Sequence, residues 1–223
     1  MEGWGTMMDR IRVLLVDDHT IVRQGLRCIL ATDEDIEVVG EAGDGRSAVE
    51  LAEQLRPDVV VMDLTLPELN GIEATRRIFK QEKDTKVLIL TMHTDRMFVR
   101  QSLKAGARGY LVKDAEDTDL VKAVKVVGRG GSFFNAEVSR MLLNDYLGEQ
   151  IPGDGDDDLT RLTGREREIL QLVAEGRTSG EIATTLSLAL NTVETHRKQI
   201  MKKLDLHKTA ELVRFALRKQ VVN

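Results

Sequence analysis

The sequence has a single cysteine, Cys28, among its 223 residues. One cysteine excludes a disulfide within the chain and is typical of proteins in a reducing cytoplasm; its apolar neighbours predict that Cys28 packs within a helix. No apolar run reaches the roughly 18 residues of a membrane-spanning helix. The opening MEGWGTMMDR lacks the apolar stretch of a signal peptide and predicts a loose tail. These absences favour a cytoplasmic protein without a membrane partner.

The net charge of −5 conceals a division along the chain. Residues 1–148 contain 20 Lys and Arg against 25 Asp and Glu, and residues 149–159 contain five acids and no base. Residues 160–223 instead contain 12 Lys and Arg against 7 Asp and Glu. An acidic body joined to a basic segment indicates that the basic segment binds a polyanion. On charge alone, an equally good alternative is that the acidic and basic surfaces are unrelated and that the basic segment binds no polyanion.

Apolar runs and amphipathic segments alternate through the first 130 residues. Runs rich in Val, Ile and Leu predict strands at 12–16, 36–41, 59–63, 86–91 and 109–112. A helical period predicts helices near 20–31, 45–55, 71–81, 96–105 and 116–128. Asp44 and Asn70 are the predicted N-caps of the second and third. Five such repeats predict a doubly wound α/β fold with a five-stranded parallel sheet and helices on both faces.

A different pattern follows. After a predicted helix at 136–147, the segment GEQIPGDGDDDL has no apolar period and predicts a flexible acidic linker. Beyond it the sequence predicts a small all-α domain with helices at 164–175, 179–186, 190–204 and 208–218. Thr163 and Glu166 form a capping box for the first of these. The predicted divisions are 10–130 for the α/β domain, 131–159 for the connecting helix and linker, and 160–223 for the helical domain.

Polar residues stand at the carboxyl ends of four predicted strands: Asp17 and Asp18, Asp63, Thr91, and Lys113. The carboxyl ends of parallel strands share one edge of the sheet, where ligands bind in open α/β folds. Carboxylates, a hydroxyl and a lysine gathered there predict a site for a divalent cation and a phosphoryl group. Asp63 ends the central strand and is the predicted nucleophile toward phosphorus. Asp17 and Asp18 are the predicted metal pair, and Lys113 and Thr91 would hold phosphoryl oxygens.

These motifs resemble the receiver domain of two-component response regulators over residues 10–130. The matching segments are VDDH, MDLTLPELNGIEATRRI, LT and GARGYLVKD, in order and in register. The resemblance implies that Asp63 accepts a phosphoryl group from the phosphohistidine of a sensor histidine kinase. It implies Mg²⁺ bound by Asp18, Asp63 and the carbonyl of Thr65, with Asp17 acting through water. It also implies that Thr91 closes on the phosphoryl group while Tyr110 turns inward.

Other interpretations of the same residues are weaker. Thr65 and His93 resemble positions that tune hydrolysis of the phosphoryl group, but an exposed loop histidine is the favoured interpretation of His93. Phosphatases of the haloacid dehalogenase type also use an aspartyl phosphate. They require a second acid two residues after the nucleophile, where this chain has Thr65. The remaining alternative is a buried ion network that has a structural role and no phosphoryl chemistry.

The basic segment contains a helix, a short turn and a second helix within 179–204. It resembles the LuxR-type helix-turn-helix of NarL/FixJ-type regulators over 160–218, through LTGREREIL, AEG, EIA and TVETHR. The resemblance implies that the second helix enters the major groove of DNA. The resemblance also implies that Glu194, Thr195 and Lys198 face the bases and that Thr192, Arg197 and Lys202 contact phosphates. Glu194 either accepts from a cytosine amine or pairs with Lys198, and the pairing is slightly favoured.

Two glycines depart from this family pattern. Gly164 stands where the family usually has proline, which loosens the first helical turn. Gly180 replaces a usual lysine and removes one phosphate contact. Both departures bear on DNA affinity and leave the predicted function unchanged.

Together these features predict a non-enzymatic, DNA-binding transcriptional regulator switched by phosphorylation. Its predicted partners are a sensor histidine kinase, double-stranded promoter DNA, a second copy of the chain after phosphorylation and, as a further candidate, RNA polymerase. Leu212, Val213 and Ala216 either form the dimer surface or belong to the core of the helical domain. An inhibitory contact between the domains is a further hypothesis. The competing hypotheses are a switch for protein or RNA partners and a regulator that works without phosphorylation.

Overall fold

The computed structural model describes residues 10–113, 117–146, 158–219 and 221. The predicted tail 1–9 and most of the predicted linker, residues 147–157, lie outside the described residues. The strands are β1 (Ile11–Val16), β2 (Ile36–Ala42), β3 (Val59–Met62), β4 (Lys86–Thr91), β5 (Gly109–Val112) and β6 (Phe133–Phe134). Between and after them lie α1 (Thr20–Leu30), α2 (Gly45–Leu55), α3 (Gly71–Gln81), α4 (Arg96–Ala105), α5 (Asp117–Gly128) and α6 (Ala136–Tyr146).

The strands form one parallel sheet in the order β2-β1-β3-β4-β5-β6. The doubly wound parallel α/β class is therefore confirmed, with all five predicted strands within a residue of their expected bounds. The sixth strand, of two residues, was not predicted, because so short a segment shows no period. The strand order changes direction at β1 and β3, the point at which ligands bind in such sheets.

Two apolar cores cover the faces of this sheet. One joins Leu14, Val60 and Ile89 to helices α2, α3 and α4, and α6 packs on the same side through Val138. The other joins Val13, Val61 and Leu88 to α1 and α5. Alternate residues of β1, β3 and β4 therefore face opposite cores, which is why the buried parts of these strands consist of apolar residues.

Helix starts follow the predicted caps. Asp44 accepts a hydrogen bond from Ser47 N, and Asn70 accepts one from Glu73 N. Cys28, however, is exposed on α1, so its predicted packing is wrong. Val22, Leu26 and Ile29 share the inner face of α1, and residue 28 lies away from it at the helical period.

The C-terminal part has its own core and no strand among its described residues. A 3₁₀ turn (Asp158–Arg161), which was not predicted, precedes α7 (Gly164–Ala174), α8 (Ser179–Thr185), α9 (Leu190–Leu204) and α10 (Thr209–Arg218). Thr163 and Glu166 form the predicted capping box of α7. Ile169, Ile182 and Ile200 bring α7, α8 and α9 onto one apolar cluster. None of the described helices has the length and apolar character needed to cross a bilayer.

Candidate functional site

The crevice formed by Asp17, Asp18, Asp63, Thr91 and Lys113 lies at the carboxyl edge of the sheet. Because β1 pairs with β3 so that Val16 lies opposite Met62, the residues that follow these strands are neighbours. Lys113 Nζ donates to Asp17 Oδ2 at 2.6 Å and to Asp63 Oδ2 at 2.6 Å. The side chains of Asp17 and Asp63 are only 1% and 9% exposed. One ammonium group is thus shared by two buried carboxylates from distant parts of the chain.

The charge of Lys113 is stabilised at this position. Burial alone lowers the pKa of Lys113, but hydrogen bonds to Asp17 and Asp63 outweigh burial and raise the pKa above its ordinary value. Lys113 therefore stays protonated throughout the physiological range. A cation entering the crevice competes with Lys113 for the same carboxylate oxygens.

A cluster of possible metal ligands lies on the open side of the crevice. Ligand atoms of Asp17, Asp18 and His19 all lie within 4.8 Å of one another, and His19 Nδ1 is 2.7 Å from Asp18 Oδ1. Carboxylate oxygens of this kind fit a hard divalent cation. His19 was not anticipated, although its place directly after the aspartate pair was a signal. Asp63, predicted as a third ligand, joins Asp17 through Lys113 and is not part of this cluster.

The loop between β3 and α3 holds the carboxylate of Asp63 in place. Asp63 Oδ1 accepts a hydrogen bond from Leu64 N at 2.7 Å, and Gly71 N donates to Leu64 O at 2.9 Å. A Cβ atom at position 71 would lie 1.9 Å from the carbonyl oxygen of Asp63. Glycine is therefore required for the helix to begin this close to the strand end.

Thr65 and His93 join this loop to the one after β4. Thr65 Oγ1 and His93 Nε2 are 2.9 Å apart, and the imidazole lies 4.7 Å from the ring of Phe98. His93 is partly buried and held on two sides, so the expectation of a merely exposed loop histidine is wrong. The two residues border a cleft of about 350 Å³ that also includes Asp63 and Lys113.

Tyr110 is already turned inward. Its side chain is fully buried, and its hydroxyl donates to the backbone oxygen of His93 at 2.8 Å. Burial, then the charges of Asp63 and Asp95, raise the pKa of Tyr110 well above its ordinary value. Thr91 is buried at the end of β4. Thr91, His93 and Tyr110 thus belong to one packed unit beside Asp63.

The second predicted site is the outer face of α9. Glu194, Thr195, Lys198 and Lys202 are exposed, and Thr192 is partly exposed. Arg197 is braced instead, because its guanidinium donates to Ser179 Oγ at 2.7 Å and to Thr209 Oγ1 at 3.2 Å. Among the described residues no ion pair joins Glu194 to Lys198, so the favoured pairing is not present. Both charges remain exposed to solvent on this face.

Helix α10 contributes mainly to the core of its own domain. Leu212 and Ala216 are buried with Phe215, and Val213 packs against the same cluster. Of the two interpretations of these residues, the structure shows the intradomain one.

Both parts of the chain match known families. Residues 13–125 match "Response regulator receiver domain" and residues 160–216 match "Bacterial regulatory proteins, luxR family". Transcriptional regulatory protein MctR from Rhizobium johnstonii is 39% identical over 98% of this chain and 98% of that protein.

Solved structures give the same assignment. A structure of the RcsB response regulator from Salmonella typhimurium is 30% identical, covers 95% of this chain and 100% of its own, and has a TM-score of 0.58. A structure of two RcsB dimers bound to two parallel DNAs covers 94% of this chain and 98% of its own, with 29% identity and a TM-score of 0.57. The chain therefore belongs to the LuxR-type response regulators, two-component transcriptional regulators that combine a receiver domain with a helix-turn-helix DNA-binding domain.

Proposed function

We propose that Asp63 is the phosphoacceptor through which this regulator is switched. The observation that carries the proposal is the sharing of Lys113 between Asp17 and Asp63 at adjoining strand ends. This arrangement supplies a buried carboxylate nucleophile, a fixed cation and a neighbouring pair of possible metal ligands. The sensor histidine kinase supplies the phosphoryl group as a phosphohistidine.

In the transfer, a carboxylate oxygen of Asp63 forms a bond to phosphorus while the bond between phosphorus and the histidine nitrogen breaks. The leaving imidazole keeps the electron pair and takes up a proton from solvent. Lys113 holds Asp63 beforehand and then a phosphoryl oxygen, and the hydroxyl of Thr91 holds another. Asp18, Asp63 and the carbonyl of Thr65 would hold Mg²⁺, with Asp17 acting through water, and the bound ion would offset the repulsion between the carboxylate and the anionic donor.

The output is DNA binding by α9. Glu194, Thr195 and Lys198 would face base edges, and Thr192, Arg197 and Lys202 would contact phosphates. The exposure of this face supports that assignment. The RcsB dimers on DNA support a second copy of this chain as the partner on a two-part site.

The first test is phosphorylation of the full-length chain by acetyl phosphate and Mg²⁺, followed by intact-mass measurement. We expect wild type to gain one phosphoryl group, Asp63→Asn to gain none, and a chelator to abolish the gain. Asp84→Asn is the matched control, because Asp84 is exposed before β4. Equal phosphorylation of Asp63→Asn and wild type would contradict the assignment of Asp63.

The second test measures whether phosphorylation changes the affinity of the chain for DNA. Binding to sequences selected from a random duplex library is measured with and without acetyl phosphate. We expect tighter binding after phosphorylation in wild type only. Unchanged binding would show that α9 works independently of the crevice.

A further inference from the structure

His19 follows directly on the aspartate pair and occupies the N-cap position of α1. The favoured N-cap residues are Ser, Thr, Asn and Asp, whose side chains accept hydrogen bonds from the first turn of the helix. The side chain of His19 makes no such hydrogen bond. Its Nδ1 atom lies 2.7 Å from Asp18 Oδ1 and 3.6 Å from Asp17 Oδ1. The imidazole is therefore directed at the two carboxylates and not at the helix end.

We name Asp17, Asp18 and His19 the ligand triad, because their ligand atoms all lie within 4.8 Å of one another. In octahedral coordination with bonds of about 2.1 Å, neighbouring ligand atoms lie about 3 Å apart. The separations of 2.7 and 3.6 Å lie on either side of that value. The side chain of His19 is 66% exposed and that of Asp18 is 31% exposed, so both are free to rotate. Small rotations bring the three atoms onto one face around a single ion.

The backbone that carries the ligand triad is held in place by three hydrogen bonds. Asp17 N donates to Ala42 O of β2 at 3.2 Å, and the guanidinium of Arg23 donates to Asp17 O at 2.5 Å. His19 N donates to Asp17 Oδ1 at 2.8 Å. A metal site gains affinity when its ligands are already positioned by their surroundings. The loop between β1 and α1 meets this condition.

The two oxygens of Asp17 have different partners. Oδ2 accepts from Lys113 Nζ, whereas Oδ1 accepts from His19 N and is the oxygen nearer to the imidazole. An ion held by Oδ1 on the open side of the crevice leaves Lys113 on Oδ2, unlike an ion that enters between Asp17 and Asp63. Lys113 therefore stays available for a phosphoryl oxygen while the ligand triad holds an ion.

The types of donor atom decide which ion the ligand triad prefers. Carboxylate and carbonyl oxygens suit Mg²⁺, whereas an imidazole nitrogen suits first-row transition-metal ions, whose affinity for such a site rises from Mn²⁺ to Co²⁺. Within the described part of the chain, His19 is the one imidazole that belongs to a cluster of this kind. The nearby His93 is engaged with Thr65 through its Nε2 atom. One nitrogen donor thus distinguishes this site from a site built of oxygens alone.

From this geometry we propose that His19 is a ligand of the divalent ion at the aspartate pair, and that it makes the site prefer a first-row transition-metal ion to Mg²⁺. The proposal rests on the proposed function, because that function already places a divalent ion at Asp18. His19 adds a ligand that the family resemblance does not supply. The alternative is a hydrogen bond between the exposed groups of His19 and Asp18, which contributes little to stability and selects no ion.

The first experiment measures ion binding to the full-length chain by isothermal titration calorimetry, with Co²⁺ alone and with Mg²⁺ alone. His19→Asn replaces the nitrogen donor by an amide oxygen and introduces a favoured N-cap residue, so α1 is retained. His207→Asn removes an exposed imidazole from the helical domain and is the matched control. We expect His19→Asn to bind Co²⁺ at least roughly tenfold more weakly than wild type, with its affinity for Mg²⁺ changed by no more than about twofold. We expect His207→Asn to match wild type.

A second experiment detects the nitrogen ligand directly. Pulsed electron paramagnetic resonance of the Mn²⁺-loaded chain records the coupling between the ion and a nitrogen nucleus bound to it. We expect this coupling in wild type and in His207→Asn, and none in His19→Asn. The signal reports the identity of the ligand and not how tightly the ion is held, so a purely structural role of His19 would not produce it.

Asp18→Asn, which removes the ligand common to both proposals, distinguishes their failures. If Asp18→Asn loses both ions but His19→Asn binds Co²⁺ as wild type does, the role of His19 is overturned and the proposed metal site stands. If His19→Asn loses Co²⁺ and Mg²⁺ equally, His19 positions the loop and the preference for a transition-metal ion is likewise overturned. If wild type binds neither ion, both proposals fail at the metal site, and the intact-mass test of Asp63 decides the phosphoacceptor separately.

Discussion

In the crevice of the receiver, one lysine lies between two buried carboxylates, whereas on the outer face of α9 the charged side chains of Glu194, Lys198 and Lys202 are exposed to solvent. The crevice is assembled from positions 17, 63 and 113, and the proposed DNA surface from consecutive turns of one helix. Charges in the crevice are therefore coupled to one another and to the packing of the receiver. We expect the exposed charges on this face to act almost independently of one another, each on the phosphates of bound DNA.

The largest effect expected from this difference is that of Lys113→Met. The variant leaves Asp17 and Asp63 buried without their shared cation, so the free energy of unfolding of the receiver should fall by about 3 kcal/mol. Mg²⁺ should restore part of the loss by binding the folded form. Denaturant unfolding followed by circular dichroism measures both, with the exposed Lys122→Met as the control. Equal stability of the two variants would show that the crevice charges are not coupled.

A pH titration addresses the buried carboxylate of Glu168 on α7, which accepts hydrogen bonds from Arg46 and Arg77 of the receiver. Burial alone raises the pKa of Glu168, but the hydrogen bond from Arg165 and the charge of Arg77 outweigh burial and hold the pKa below its ordinary value of 4.5. The contribution of Glu168 to the packing of α7 against the receiver is therefore complete above pH 4.5 and is lost as the pH falls through the lowered pKa. Solution scattering should show the domains separating in that acidic range. Glu168→Gln should show a larger radius already at neutral pH.

A smaller effect is expected from Lys202→Ala on α9. Loss of one phosphate contact should weaken binding to all duplexes alike and reduce the salt dependence of log K by about one unit. Thermal stability should be unchanged, since the side chain is exposed. Fluorescence anisotropy over a salt series measures the slope, with Lys83→Ala on the receiver as the matched control. A sequence-dependent loss would assign Lys202 to base contacts instead.

The smallest expected effect is an increase in DNA affinity, in the variant Gly180→Lys. Gly180 opens onto free space at the start of α8, so Gly180→Lys should add one phosphate contact without strain. We expect modestly tighter DNA binding and a salt slope about one unit steeper. An unchanged slope would show that this end of α8 lies away from the DNA backbone.

Much of the structure of the receiver could be predicted from local patterns in the sequence. Apolar runs located β1, β3, β4 and β5, and the polar residue after each run marked the edge at which the crevice forms. The two-residue β6 lacked such a signal, because a period cannot be observed over two positions. The prediction that Cys28 is packed was wrong because it relied on the apolar residues next to it in sequence, whereas burial on a helix depends on which face a residue occupies.

Pairings across the chain could not be derived in the same way. The contact between Thr65 and His93 joins two different loops. The hydrogen bond from Tyr110 to His93 holds the tyrosine side chain inward, whereas the family resemblance led us to expect that Tyr110 turns inward when Asp63 is phosphorylated. Glu194 and Lys198 have the spacing of a helical pair, yet both remain exposed. Weak surface pairing is readily replaced by solvation.

The sequence by itself determined the fold class, the strand ends that carry Asp17, Asp63 and Lys113, and the bounds of the helix for which DNA contacts are proposed. These depend on periodicity and on residue types that act locally. Only the tertiary structure decided that Lys113 is shared by two carboxylates and that Gln171 hydrogen-bonds to the loop between β3 and α3. Gln171 lies 105 positions from Leu66, and no local preference specifies a hydrogen bond across that separation. It forms because buried polar groups must find partners once the two domains pack together.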